Sequence, residues 1–140
     1  MDETDIRFYK ALTYDIIGCA LEVHKELGFG LLEEVYQEAL SLEFEEKKIK
    51  FEQQKTLEIF YKGRKLNKFY RADFICYKSI IVELKSTTGI LPEHRAQLIN
   101  YMKITKQPVG ILMNFGEKSF KSEKYILDIA SGQISAFSNK

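Results

Sequence analysis

Two short apolar runs, IIVELKS (80–86) and PVGILMNF (108–115), constrain this chain more than any other feature. Between them HRAQLINYMKIT (94–105) places Leu98, Tyr101, Met102 and Thr105 at helical spacing. Pro92 suits the first turn of that helix, and Glu93 favours its dipole. A strand, a helix and a second strand in that order predict parallel pairing through a right-handed crossover.

The other segments follow from the same periodicities. Ile6, Tyr9, Leu12, Ile16, Ala20, Val23 and Leu27 predict a helix over 4–27, capped by Asp2 or Thr4 and stopped by GFG (28–30). Leu32, Val35, Tyr36, Ala39, Leu40 and Phe44 predict a second helix over 31–47, so that the two form a helical hairpin with a glycine-rich corner. TLEIFY (56–61) reads as a strand ending in a turn at Lys62-Gly63. KFYRADFICY (68–77) and SIIVELKS (79–86) are two more strands, joined too tightly for anything but antiparallel pairing. The tail from about 124 adds a final strand. The expected fold is α/β, a mixed β-sheet flanked by helices, with an N-terminal helical pair.

A chain of 140 residues fits one domain, 1–140. No apolar run is long enough to span a bilayer, and the acidic start MDETDIRFYK is unlike a signal peptide. Cys19 and Cys76 have neither metal-ligand nor disulfide spacing, which points to small core residues and the cytoplasm. The net charge of +1 excludes a global basic field, but charge is unevenly distributed. Residues 1–46 hold 3 basic and 12 acidic side chains, 47–71 hold 9 and 2, and 72–140 hold 9 and 6. The basic stretch is either a lysine-guarded edge strand or a contact for an anionic substrate.

Glu83 and Lys85 are the anomaly. Side chains two apart on a strand share a face, so a run built for burial sets a carboxylate beside an ammonium. Such a pair must satisfy itself as an intrastrand salt bridge, reach solvent, or bind something. Asp73 interrupts the neighbouring strand in the same way. A two-residue loop at Lys78-Ser79 would pair position 73 with 84 and separate the carboxylates. A three-residue loop, Tyr77 to Ser79, or a bulge would bring Asp73 opposite Glu83. Converged carboxylates repel unless a proton or cation intervenes, and hard oxygen ligands suit Mg²⁺ or Mn²⁺. Lys85 would then stand beside the ion, able to stabilise charge growing on a phosphate.

Ala72-Asp73, nine residues, then Glu83-Leu84-Lys85 resembles the signature of the PD-(D/E)XK nuclease superfamily, with alanine in place of the naming proline. VHKELGFGLLEEVYQEAL (23–40) resembles the hallmark of the bacterial GxxExxY family, with Gly30, Glu33 and Tyr36 in the naming positions. YKGRKL, YRADF, VELKS, the Gln97 and Tyr101 pair and GILMNFG resemble that family in the same order, over roughly residues 5 to 116. The resemblance implies a restriction-endonuclease-like core. It implies Asp73 and Glu83 as metal ligands, Lys85 as the catalytic lysine, Glu33 as an extra acidic residue and Gln97 as a site-facing glutamine. Tyr36 and Tyr101 are accessory candidates.

Without the resemblance, Glu33 also reads as a favourable carboxylate at a helix start, Gln97 as a surface residue and Tyr101 as a core one. His24 fits packing in the helix corner, and His94 is an acid–base candidate by residue type alone. The expected activity is metal-dependent hydrolysis of nucleic acid, DNA first. Lys62, Arg64, Lys65, Lys68 and Arg71 would hold phosphates. Tyr61, Phe69 and Tyr70 would stack on bases or pack in the core. The alternatives are a non-cleaving nucleic-acid-binding or regulatory module with the same fold, and a protein-interaction domain. So small a chain has little room for a separate recognition domain, which leaves a place for a homodimer or protein partner but not for a membrane.

Overall fold

The structure, a computed structural model, describes residues 3–138 and the side chains of 6–138. The expected capping side chains of Asp2 and Thr4 lie outside the described residues. Three helices, α1 (Glu3–Leu27), α2 (Glu33–Glu46) and α3 (Pro92–Thr105), accompany six strands. The strands are β1 (Phe51–Tyr61), β2 (Arg64–Cys76), β3 (Ile80–Lys85), β4 (Val109–Asn114), β5 (Lys121–Asp128) and β6 (Gln133–Phe137). They form one sheet in sequence order. β3 and β4 are parallel and joined through α3, as expected, and every other neighbouring pair is antiparallel. The result is a mixed α/β sheet with helices against it.

Alternation along β3 explains why both faces are covered. Ile80, Val82 and Leu84 join a core with Ile16, Tyr36 and Phe44 of α1 and α2. Ile81 points the other way, into a core with Leu98 and Met102 of α3. Gly110 on β4 lets α3 lie close, because a Cβ there would meet the Met102 sulfur at 2.6 Å and Leu98 Cδ1 at 3.1 Å.

The helical hairpin closes as the sequence suggests, with one correction. Leu32 is extended and 68% exposed, α2 starts at Glu33, and Val35 is 42% exposed. Tyr36, Leu40 and Phe44, each four apart, form the buried row, and Leu32 and Val35 fall outside it. The strands also run further than their sequence signals. β1 begins at Phe51, β2 begins at Arg64, and the tail forms two strands rather than one.

The β1–β2 ribbon turns at Lys62 and Gly63, both at positive φ (49° and 78°), as a primed two-residue hairpin requires. Its base is kinked. Phe51 and Leu57 have the same parity yet pack on opposite faces of the sheet, while Ala72 and Ile75, three apart, pack on the same one. The irregularity lies at Gln54, which has φ 51°, and at Asp73, and neither appears in the ladder between flanking pairs Gln53–Phe74 and Lys55–Ala72. β2 pairs with β3 only at Phe74, Ile75 and Cys76. From Asp73 outward the ribbon leaves the sheet.

Candidate metal centre

The loop between β2 and β3 decides whether the acidic residues meet. Cys76 pairs with Ile80, so the loop is the three-residue one, Tyr77 to Ser79, with Tyr77 and Lys78 at φ 53° and 60°. Continuing the register from Phe74–Val82 brings Asp73 opposite Glu83. Where the strands part, side chains replace the ladder. The Asp73 amide donates to Glu83 Oε1 at 3.1 Å, and the Leu84 amide donates to Asp73 Oδ2 at 2.9 Å. Each carboxylate thus satisfies a backbone amide freed by the divergence.

Both carboxylates are half-buried at this junction, and burial disfavours their charged forms. Glu83 is pushed up to about 7, first by burial and then by the charge of Asp73, against hydrogen bonds from Tyr70 and the Asp73 amide and the charge of Lys85. Asp73 is raised by burial, opposed by the Leu84 amide, Lys85 and Gln54. Glu33 is raised too: burial leads, Lys85 opposes it and Asp73 adds to it. Lys85 is therefore a cation common to three carboxylates. Among the described residues it forms no ion pair with Glu83, so the intrastrand salt bridge is not the arrangement adopted.

The other candidates divide clearly. Glu33, in the exposed first turn of α2, comes within electrostatic reach of Asp73 and Lys85. The corner that delivers it is fastened to the sheet: Ser86 Oγ donates to the Leu31 carbonyl, and the Gly30 amide donates to Phe115 O at 3.2 Å. Gly30 has φ 84°, where glycine is favoured. Tyr36 is fully buried, stacked on Phe115 at 4.6 Å, and its hydroxyl donates to Gly28 O at 2.7 Å and accepts from the Leu31 amide at 3.1 Å. Its hydroxyl closes the corner and is not turned to the carboxylates.

Gln97 is exposed, one turn before Tyr101 on α3. Tyr101 stacks on Tyr70, and the Tyr70 hydroxyl donates to Glu83 Oε1. His24 bonds Glu117 O at 2.9 Å and packs beside Phe115, as a corner residue should. His94 Nδ1 accepts from the Leu91 amide at 3.1 Å, which commits it to the start of α3. Lys62, Arg64, Lys65, Lys68 and Arg71 are all exposed on the ribbon, with Lys65 3.2 Å from Glu58 and Arg71 over the Phe69 ring at 5.9 Å. Tyr70 is the residue whose contact with the site sequence reasoning missed.

Beyond Lys85 the backbone is held by Asn114, its partner in the parallel ladder. Asn114 is fully buried; its Oδ1 accepts from the Thr87 and Gly116 amides at 3.0 Å each, and its Nδ2 donates to Thr87 O at 2.9 Å and Glu117 Oε2 at 2.8 Å. Asn114→Ala removes the partner of three partly buried backbone groups and should cost about 2 kcal/mol, read as a lowered urea midpoint. An unchanged midpoint would mean that water replaces the amide.

Known proteins bear on this geometry. The family profile described as the PD-(D/E)XK nuclease superfamily matches residues 10–126. The chain belongs to the PD-(D/E)XK nuclease superfamily. Among solved structures, the crystal structure of SSO0001 resembles it with a TM-score of 0.54 at 24% identity, covering 70% of this chain. That likeness is one of fold, and the chain spans about half of SSO0001 (52%). No curated protein matches the sequence.

PD-(D/E)XK nucleases generally use divalent metals, and the donors present here suit a hard cation. Among the described residues no hydrogen bond reaches Glu83 Oε2, and Asp73 Oδ1 has only a 3.4 Å contact to Gln54. No group of three or more His, Cys, Asp or Glu among the described residues is placed to hold an ion. Two carboxylates leave most of a shell open, which suits a hard divalent cation rather than a closed zinc site. No helix among the described residues is long and apolar enough to cross a membrane.

Proposed function

We propose that this PD-(D/E)XK protein is a metal-dependent nuclease that hydrolyses phosphodiester bonds. The observation carrying the proposal is the meeting of Asp73 and Glu83, both with raised proton affinity, beside a Lys85 unpaired with Glu83. Burying two repelling carboxylates is unfavourable for folding alone, and a bound cation removes the penalty. Asp73 and Glu83 would hold Mg²⁺ or Mn²⁺. When bound, such an ion would lower the pKa of a water so that it could attack at neutral pH. Lys85, within electrostatic reach of all three carboxylates, would offset charge developing on the phosphate, and Glu33, at the start of α2, would orient water. Gln97 is assigned a substrate contact from its exposed position on α3.

The ribbon supports a nucleic-acid substrate, and we take DNA as the first to test. Arg71 lies two residues before Asp73 on β2, so the basic ribbon adjoins the site in the chain. Lys62, Arg64, Lys65, Lys68 and Arg71 bind phosphates, which positions the substrate without reading sequence. We also place the chain in the GxxExxY group and read residues 1–140 as one nuclease-like domain. In that motif Gly30 makes the corner, Tyr36 locks it and Glu33 is what it presents. Two free, buried cysteines favour the cytoplasm as its compartment.

Calorimetric titration of Mn²⁺ into wild type and Asp73→Ala tests the reading without a choice of substrate. Binding by the wild type and at least about tenfold weaker binding by the variant is expected, since one of two protein ligands is removed. Screening DNA and RNA for metal-dependent cleavage follows. No uptake and no cleavage by the wild type would leave a nucleic-acid-binding module that keeps the fold.

A further inference from the structure

We propose that Tyr70 is a positioning residue for Glu83, clamped in turn by Tyr101, so that α3 sets the geometry of the carboxylate pair. The inference rests on the metal-site reading above and adds to it the part that orients a ligand.

Tyr70 is 6% exposed, and its hydroxyl donates to Glu83 Oε1. The same oxygen accepts the Asp73 amide at 3.1 Å. Two donors converging on one oxygen fix the rotation of the carboxylate and leave Oε2 for an incoming cation. Without the hydroxyl, repulsion from Asp73 would turn the Glu83 side chain away, because only one backbone amide would hold it.

Tyr70 is itself immobilised. Its ring lies on Tyr101 with centroids 3.8 Å apart and planes 16° from parallel. α3 cannot easily shift beneath that stack. On the β5 side Arg95 Nε donates to both Glu123 oxygens, at 2.7 and 2.9 Å, and Gly110 allows Leu98 and Met102 to sit hard against β4. The line of constraint runs from α3 through Tyr101 and Tyr70 to Glu83 Oε1. Packing alone would need only the Tyr70 ring, and phenylalanine would then serve equally well. A hydrogen-bonded partner that orients a metal ligand makes a different demand, since losing it typically weakens metal binding about 10–100-fold.

The test is Mn²⁺ calorimetry on wild type, Tyr70→Phe, Tyr101→Phe, Tyr101→Ala and the Tyr70→Phe/Tyr101→Ala double variant, each with its melting temperature. Tyr70→Phe keeps ring and stack, so it should fold as the wild type does and bind Mn²⁺ at least about tenfold more weakly. Tyr101→Ala should weaken binding comparably by releasing Tyr70, and Tyr101→Phe should restore it. The double variant should be no worse than either single change, because both act through one hydrogen bond. Wild-type affinity in Tyr70→Phe, or losses that multiply in the double variant, would overturn the proposal while leaving the metal site intact. No uptake by the wild type would overturn the metal site and this inference with it.

Discussion

In metal-free protein, Glu83→Gln is expected to raise stability near pH 8 by about 3 kcal/mol and to leave it unchanged near pH 4. Glu83 has its proton affinity raised from an ordinary 4.5 to about 7 in the fold. Below the lower value the carboxyl is protonated in both folded and unfolded chains and contributes no pH dependence. Between the two values the unfolded chain has released its proton and the folded chain still holds it, so stability falls as pH rises. The fall levels off once the folded carboxyl also ionises, just above 7. Glutamine keeps an oxygen for the Tyr70 hydroxyl and the Asp73 amide but carries no charge to bury. Asp73 is coupled to Glu83 by charge, so the difference between the two stability curves reports Glu83 together with that coupling. Urea denaturation in EDTA across that range measures it. Saturating Mg²⁺ should stabilise the wild type near pH 8 and leave Glu83→Gln almost unmoved, since only the wild type offers a charged ligand pair. Parallel curves for the two proteins would mean that Glu83 is solvated enough to ionise at its ordinary pKa.

Much of the frame that carries Glu83 was readable from local pattern. The helical spacing over 94–105 between two apolar runs required the parallel β3–β4 pair, and the short joint after Cys76 required an antiparallel β2–β3 pair. Whether that joint was two residues or three was open, because Tyr77, Lys78 and Ser79 carry no glycine to mark the turn; the structure sets Tyr77 and Lys78 at positive φ regardless. Tyr70 was hidden for a related reason. In a regular strand Tyr70 and Asp73, three apart, project to opposite faces, and only the kink at Gln54 and Asp73 lets Tyr70 serve the site that Asp73 begins. No residue type in QQK (53–55) or RAD (71–73) signals a kink, since it arises where β2 leaves β3. The exposure of Leu32 and Val35 was invisible in a similar way. Their helical spacing was sound, but the corner delays α2 by two residues and gives the buried row to Tyr36, Leu40 and Phe44. Periodicity reads each element alone, whereas a site is made where elements meet or part.

Lys85→Met should separate binding from catalysis, with cleavage lowered about 10²–10³-fold while Mn²⁺ uptake is kept. Lys85 lowers the proton affinity of Glu83, Asp73 and Glu33 alike. Removing its charge makes the carboxylates harder to ionise, yet it also removes a nearby cation that repels a metal ion. Once the pH is high enough to ionise the carboxylates in both proteins, the second effect prevails and Mn²⁺ should bind at least as well as in the wild type. Charge that develops on the phosphate in the transition state then meets no ammonium, a loss worth about 3–4 kcal/mol. Methionine preserves most of the half-buried stem, so packing at the end of β3 changes little. Single-turnover cleavage measured beside Mn²⁺ calorimetry reads both quantities on one sample. Asp73→Ala should lose binding and cleavage together, whereas Lys85→Met should lose cleavage alone. If Lys85→Met instead cleaved at the wild-type rate, the lysine would serve only to moderate carboxylate repulsion, and the charge on the phosphate would have to be met by the ribbon arginines or by the metal itself.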